Sequence, residues 1–138
     1  MALSGIRVVD LTRILAGPFC TLLLADMGAE VIKIEPPAGG DPVRSQGVIK
    51  DGISWYFAQF NRNKKSVVLD LYSDEGKHTL ARLLAGADVL VENYRPGVLA
   101  TMGFTKDRLD AINPRLIVAS VNGSVSYTHL TLPTRDLV

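Results

Sequence analysis

The sequence is short of several things, and each shortage narrows what it can be. It has one cysteine, two histidines and a net charge of only +1 from 15 basic and 14 acidic residues. A lone Cys20 cannot close a disulfide within the chain, so a reducing compartment, the cytoplasm, is expected. His78 and His129 stand apart, with no metal-ligand spacing, and no metal is expected. The balanced charge gives no basic surface for nucleic acid or for an anionic membrane. No apolar run approaches the length of a membrane span. The N-terminal stretch MALSGIRVVDLTR carries acids and bases inside its apolar run, unlike a signal peptide. No Gly-x-Ser-x-Gly elbow and no Cys/His pairing is present. The first strand-to-helix turn lacks Gly-x-Gly-x-x-Gly and has only Gly17, so a standard dinucleotide fingerprint is missing.

What is present is an orderly alternation. With 138 residues, 47% hydrophobic and 21% charged, the chain is long enough for one domain with a real core. IRVVDL (6–11) reads as a buried strand, and FCTLLLADM as an apolar helix that Gly28 ends, with Pro18 in its first turn. EVIKIE (30–35) is a second strand, which completes a βαβ unit. The prolines and glycines of 36–52 predict a long irregular loop, and ISWYFAQFNRNKKS predicts aromatics followed by a basic turn. VVLDL (67–71) reads as a third strand. Ser73 caps a helix with acids in its first turn and Leu80, Leu83, Leu84 and Ala87 on one face; Gly86 closes it. A fourth strand (88–92), two short helices, the second capped by Thr105, and a fifth strand (115–121) follow. The predicted class is α/β, a doubly wound and mainly parallel sheet with helices on both faces.

In such sheets ligands sit beyond the carboxyl ends of the strands. Those ends place Arg13–Gly17, Glu35–Asp41, Asp70–Ser73 and Asn93–Gly97 together. Arg13, Arg44, Arg62, Lys64, Lys65 and Arg95 fall in predicted loops, where each is either a phosphate partner or a solvated charge. Glu35 either meets a ribose hydroxyl or is simply solvated. Asn93 offers an amide and Tyr94 a ring to a polar ligand; the plainer alternative is a loop-closing Asn and a half-buried Tyr. Trp55, Tyr56, Phe57 and Phe60 read as core fillers, and Cys20 as a core residue. From the residues alone the chain is an α/β domain able to bind a phosphorylated ligand, with no nameable catalytic group.

Four stretches carry a more specific signal: LSGIRVVDLTRILAGPFCTLLLADMGAEVIKIEPPAGGDPVR, YFAQFNRNKKSVVLDL, ADVLVENYRPGVLATMGF and NPRLIVASVNG. Together, over about residues 3–123, they resemble the N-terminal part of the family III CoA-transferases (the CaiB/BaiF group, which includes formyl-CoA:oxalate CoA-transferases). The resemblance implies a Rossmann-like large domain, a further small domain and an interlocked homodimer. It implies CoA and acyl-CoA as substrate rather than a resident cofactor, and a small carboxylic acid as acceptor. The implied chemistry is attack of an Asp carboxylate on the thioester, an aspartyl anhydride, and an aspartyl-CoA thioester. Carried over by position, CoA contacts fall at Leu15, Ala16, Leu69, Asp70, Leu71, Tyr72, Asn93, Tyr94 and Arg95. Ala16 and Asn93 match the family motif, whereas Leu15 and Arg95 differ from the formyl-CoA branch. Pro36 and Thr101 stand where that branch has arginines. The α-methylacyl-CoA racemases share the fold and the GPFC motif and are the neighbouring alternative; a non-catalytic nucleotide-binding or CoA-binding module is the other.

The ending departs from the family at about Ser124. VSYTHLTLPT resembles the translation of a transposon-type sequencing adapter, followed by an index and a terminal valine. Residues 1–123 are therefore expected to be the native part of the large domain, and 124–138 a non-native, poorly packing tail. The nucleophilic Asp is expected beyond the break, which leaves no catalytic residue to assign and an inactive fragment.

Overall fold

Period-two alternation along the strands sorts their side chains onto two faces. In the computed structural model, which describes residues 1–123, seven strands and five α-helices follow in order. They are β1 (Arg7–Asp10), α1 (Ala16–Asp26), β2 (Glu30–Glu35), β3 (Ile49–Lys50), β4 (Ile53–Ser54), α2 (Trp55–Asn61) and β5 (Lys64–Val68). Then come α3 (Asp74–Ala85), β6 (Val89–Glu92), α4 (Val98–Thr101), α5 (Lys106–Ile112) and β7 (Ile117–Ser120). The main sheet has the order β5-β2-β1-β6-β7, and every neighbour pair is parallel. Val8 stands opposite Val31 and Val89. The order reverses direction between β1 and β6, which is where such sheets open a crevice.

Val8, Val31 and Val91 face α1 and pack with Ala25 and Ala29. Val9, Ile32, Ile34 and Leu90 face the other way and pack with Leu80 and Leu84 of α3, Phe104 and Leu109. Burial of each large side chain there is worth about 1.5–3 kcal/mol. Met27 caps the end of α1, with Gly28 at φ 100° and bonds from Gly28 and Ala29 back to Ala25 and Leu24. The Ser73 hydroxyl accepts from the Gly76 N–H at 3.0 Å, and Thr105 caps α5 in the same way. Both caps are those expected. Among the described residues no helix is long and apolar enough to cross a membrane.

Three expectations need correction. The third main-sheet strand is Lys64–Val68, not 67–71. Its lysines belong to the strand rather than to a basic turn: Lys64 reaches inward to a buried carboxylate, which hydropathy alone cannot show. Leu69 and Leu71 instead anchor the loop beyond it, and Leu71 is buried. Second, 36–52 is not wholly irregular. Pro42–Ser45 forms a 3-10 turn capped by Asp41, and β3 pairs antiparallel with β4 around Asp51–Gly52. Both turn residues have positive φ (53° and 78°), the requirement that Asp-Gly meets in a two-residue hairpin. Third, the aromatic stretch is a helix, α2, started by Ser54, whose hydroxyl accepts from Phe57 N–H at 3.1 Å. Phe60 meets Phe19 and Tyr56 edge-on, but Trp55 is exposed rather than in the core. On the far side of the sheet β7 leaves Ile117 and Val118 exposed. The expected non-native tail lies outside the described residues.

Leu80→Ala, at a fully buried position, should cost about 2–5 kcal/mol in urea denaturation. Leu23→Ala, on the exposed side of α1, should change stability by no more than about 0.5 kcal/mol. Equal effects would mean that the assigned core is not the one that holds the chain.

Candidate functional site

The same alternation that builds the core puts Asp10, Lys33, Glu35, Lys64 and Ser66 on one face of the sheet, near its carboxyl end. All four charged groups have buried side chains, so each needs partners. Asp10 accepts from Thr12 N–H (2.9 Å), Thr12 Oγ1 (2.5 Å), Thr21 Oγ1 (2.6 Å) and Lys64 Nζ (3.1 Å). Lys64 also donates to Pro18 O and Asn61 Oδ1. Burial pulls the Lys64 ammonium below the usual lysine range, and Asp10 opposes that pull. Lys33 Nζ donates to Asp41 Oδ2 (2.9 Å) and to Thr12 O (2.8 Å). Glu35 takes a two-pronged bond from Arg44, both contacts at 2.7 Å, with Asp41 N–H and Ser66 Oγ adding two more. Burial alone would raise the Glu35 carboxyl; Arg44, Asp41 N–H and Ser66 outweigh it and hold the group at about 2. The Arg44 guanidinium lies 3.7 Å from the centre of the Phe57 ring.

This network reaches the turn after β1. Thr12 O accepts from Lys33, and Arg13 N–H and C=O both bond the Asn93 side chain, at 2.9 and 2.7 Å. Ile14 N–H donates to both Asp41 oxygens, at 3.2 and 3.3 Å. Three consecutive residues are thus held by side chains from three other segments. Ile14 sits at φ 74°, a left-handed conformation that a β-branched residue adopts only at a cost of about 1–3 kcal/mol. The clamp offsets that strain. α1 starts directly after the turn, with no side chain capping it. Gly17 is needed there because a Cβ would come within 2.3 Å of Thr12.

A pocket opens across the crevice of the sheet. Its floor is Ile34, Leu71 and Met102; its rim is Arg13, Glu35, Pro36, Leu69, Asp70, Tyr72 and Tyr94. The structure therefore brings together five of the nine residues expected to contact ligand: Leu69, Asp70, Leu71, Tyr72 and Tyr94. Leu15 and Ala16 are exposed at the start of α1 but do not line this pocket, and Arg95 is exposed outside it. The Asn93 amide is spent on Arg13's backbone. Tyr94 lies under the Arg13 guanidinium, 5.3 Å from ring centre to carbon. Its partial burial raises the phenol above its usual range, with Arg13's charge opposing. Thr101 is exposed on α4 with its hydroxyl turned to Gly97 O, so it offers the pocket nothing in place of an arginine. Ile34 and Met102 were not expected in the site. An apolar residue reads as core, and only the topology shows which core residues floor a cavity.

Comparison with known proteins adds a family. The family model described as CoA-transferase family III matches residues 3–126. A formyl-CoA:oxalate CoA-transferase of Rhodopseudomonas palustris is 50% identical over 123 residues, covering 88% of this chain and 29% of that protein. A protein of the same description from Afipia carboxidovorans is 47% identical over the same share of each. Among solved structures, Rv3272 of Mycobacterium tuberculosis has a TM-score of 0.84 and 39% identity, over 92% of this chain and 36% of that one. A CaiB/BaiF family protein from Brucella suis has a TM-score of 0.84 and 40% identity, over 91% and 34%. The chain thus spans under a third of the length of the curated relatives it matches.

Two expected outcomes follow from the site's geometry. Glu35 falls from its ordinary 4.5 to about 2 on folding, so its stabilisation is fully present above pH 4.5 and is lost as pH falls towards 2. Urea denaturation from pH 6 to 2 should show a decline that Glu35→Gln flattens. Glu30, held down to about 2 by Lys65 and Arg7, titrates in the same window, but it is on the surface and added salt should suppress its share. The second outcome concerns Gly76, where a Cβ would lie 1.9 Å from the Asp70 carbonyl oxygen. Gly76→Ala must push the 70–73 loop off α3, at a cost of about 1–3 kcal/mol. Amide exchange should locate the damage at Tyr72 N–H, which bonds Asp70 Oδ1 in the native loop. Unchanged protection there would contradict the close approach.

Proposed function

The chain belongs to CoA-transferase family III, and from that membership we propose that it supplies the CoA-binding face of an enzyme that moves CoA from an acyl-CoA to a small carboxylic acid. The observation that carries the proposal is the pocket at the strand carboxyl ends, where Leu69–Tyr72 and Tyr94 converge beside the start of α1. Its apolar floor suits a flat base, and the tyrosines at its rim offer ring faces to it. Leu15 and Ala16 lie at the helix N-terminus, whose backbone N–H groups favour an anion. Asn93 acts by fixing the backbone of Arg13, and Arg95 meets the ligand from outside the pocket.

The proposed reaction runs through a carboxylate. An Asp oxygen attacks the thioester carbonyl, the acyl–sulfur bond breaks, and CoA thiolate leaves an acyl-aspartyl anhydride. The thiolate then attacks the aspartyl carbonyl, releasing the donor acid and forming an aspartyl-CoA thioester. The acceptor carboxylate attacks the aspartyl carbonyl of that thioester, expelling the thiolate and forming a second anhydride; the thiolate then attacks the acceptor's acyl carbon, which forms the new acyl-CoA and frees the Asp carboxylate. The described acids fit this role poorly. Asp10 is buried under four hydrogen bonds, Asp41 is locked to Lys33 and Glu35 to Arg44. Asp70 lines the pocket, but its Oδ1 accepts from Tyr72 N–H within its own loop. On this reading the nucleophile lies outside the described residues, and residues 1–138 alone are expected to bind CoA without transferring it. Homodimerisation belongs to the same proposal. The exposed Val48, Ile49, Ile53 and Trp55 around the hairpin and α2 give it an apolar surface to cover.

Calorimetric titration of the chain with CoA should show saturable binding, weakened about tenfold by Tyr94→Ala through loss of a ring contact. Incubation with acyl-CoA donors and carboxylate acceptors should give no exchange by mass spectrometry. Exchange that Asp70→Ala abolishes would put the nucleophile at Asp70 and overturn this account; absence of CoA binding would remove the pocket from it.

A further inference from the structure

Of the basic residues that could serve a ligand at the strand ends, nearly all are already committed. Arg44 is bonded to Glu35, Lys64 to Asp10 and Lys33 to Asp41, with the acids buried. Arg62 is paired with Asp26 and Lys65 with Glu30. Arg13 is different. Among the described residues no carboxylate lies within ion-pair distance of its guanidinium, which stands at the pocket rim over Tyr94. Yet its backbone is the most firmly held part of the site. Asn93 bonds both its N–H and its C=O, Lys33 holds Thr12 before it, and Asp41 holds the strained Ile14 after it. A flexible surface arginine needs no such clamp. A cation that must meet one anion at one place gains from it, because a fixed starting point reduces the ordering that binding requires.

We infer that Arg13 is the anion anchor of the pocket and that its guanidinium grips a phosphate of the nucleotide end of CoA. The inference rests on the CoA reading given above and adds a residue that the family-based contact set does not include. The planar fork matches two phosphate oxygens. The neighbouring surface favours the nucleotide end over a small acid: Tyr94, Tyr72, Leu69 and Leu71 offer a base-sized apolar wall beside the cation. Asp70, at the same rim, offers a hydrogen-bond acceptor to ribose hydroxyls. In this chain Arg13 takes over the charge that Pro36 and Thr101 do not supply.

The test is titration calorimetry on the full chain with four probes: CoA, adenosine 3′,5′-bisphosphate, adenosine and inorganic pyrophosphate. Native chain, Arg13→Gln and Arg13→Lys are compared, each first shown to be folded by circular dichroism. Arg13→Gln should weaken CoA and the bisphosphate about tenfold or more, the scale of one lost charge-assisted pair, and leave adenosine unchanged. It should also reduce the salt dependence of CoA binding. Arg13→Lys should restore part of the affinity, since it keeps the charge and loses the fork. If Arg13→Gln binds the bisphosphate as tightly as the native chain, or loses adenosine equally, the anchor is overturned while CoA binding stands. If the native chain ignores CoA but binds pyrophosphate through Arg13, the anchor stands and the CoA reading falls. If it binds neither, both fall.

Discussion

Charge buried on one face of a parallel sheet is the constraint from which most of this structure follows. Asp10, Lys33, Glu35 and Lys64 lie where alternation puts them, under α1 and α2 and out of water. An unpaired charge there would cost several kcal/mol, so the surrounding segments must return to supply partners. The 36–45 segment folds back to bring Asp41 to Lys33 and Arg44 to Glu35. β5 starts early enough to carry Lys64 to Asp10, and α2 ends where Asn61 can meet the same ammonium. Loop conformation is here a response to charge that the strands impose.

The pocket inherits that order. Its rim comes from loops, yet few of them are free to drift. The turn after β1 is fixed at Thr12, Arg13 and Ile14, and the turn after β5 is pressed onto α3 so closely that Gly76 cannot carry a side chain. Strain at Ile14 sits where the ligand is expected, held by groups whose own partners are buried. The site is thus presented by a scaffold that is rigid through polar contacts at the carboxyl end and through apolar packing below it.

How much of this the sequence disclosed depended on the kind of signal. Elements bounded by caps and glycines were legible: β2 at 30–35, α1 up to Gly28, and α3 from Ser73 to Gly86. The parallel pairing and a site at the carboxyl ends of the strands followed from alternating strands and helices; the strand order, and with it the crevice between β1 and β6, did not. β5 was misplaced by three residues at each end because VVLDL looks more strand-like than KKSVV. Only knowledge of Asp10 on β1, two strands away in the sheet, reveals that Lys64 belongs inside. α2 was missed because an aromatic run has no clear apolar face, although Ser54 ahead of it was a usable cap signal. In the site, Leu69–Tyr72 and Tyr94 were placed by resemblance, and the fold brings them together. That Arg13 stays uncommitted while Lys33, Arg44 and Lys64 are paired could not be read, because ion pairing joins residues remote in sequence.

β7 is the outermost strand on its side of the sheet among the described residues. Ile117 and Val118 point to opposite faces of the strand, and both are bare. Among the described residues no strand pairs with its outer side, and IVAS has no lysine or proline to blunt it. On this flank the fold is an open template: hydrogen-bonding groups in a row, with apolar side chains above and below. Whatever segment lies against it in a stable assembly must be able to continue a strand and cap two greasy surfaces at once.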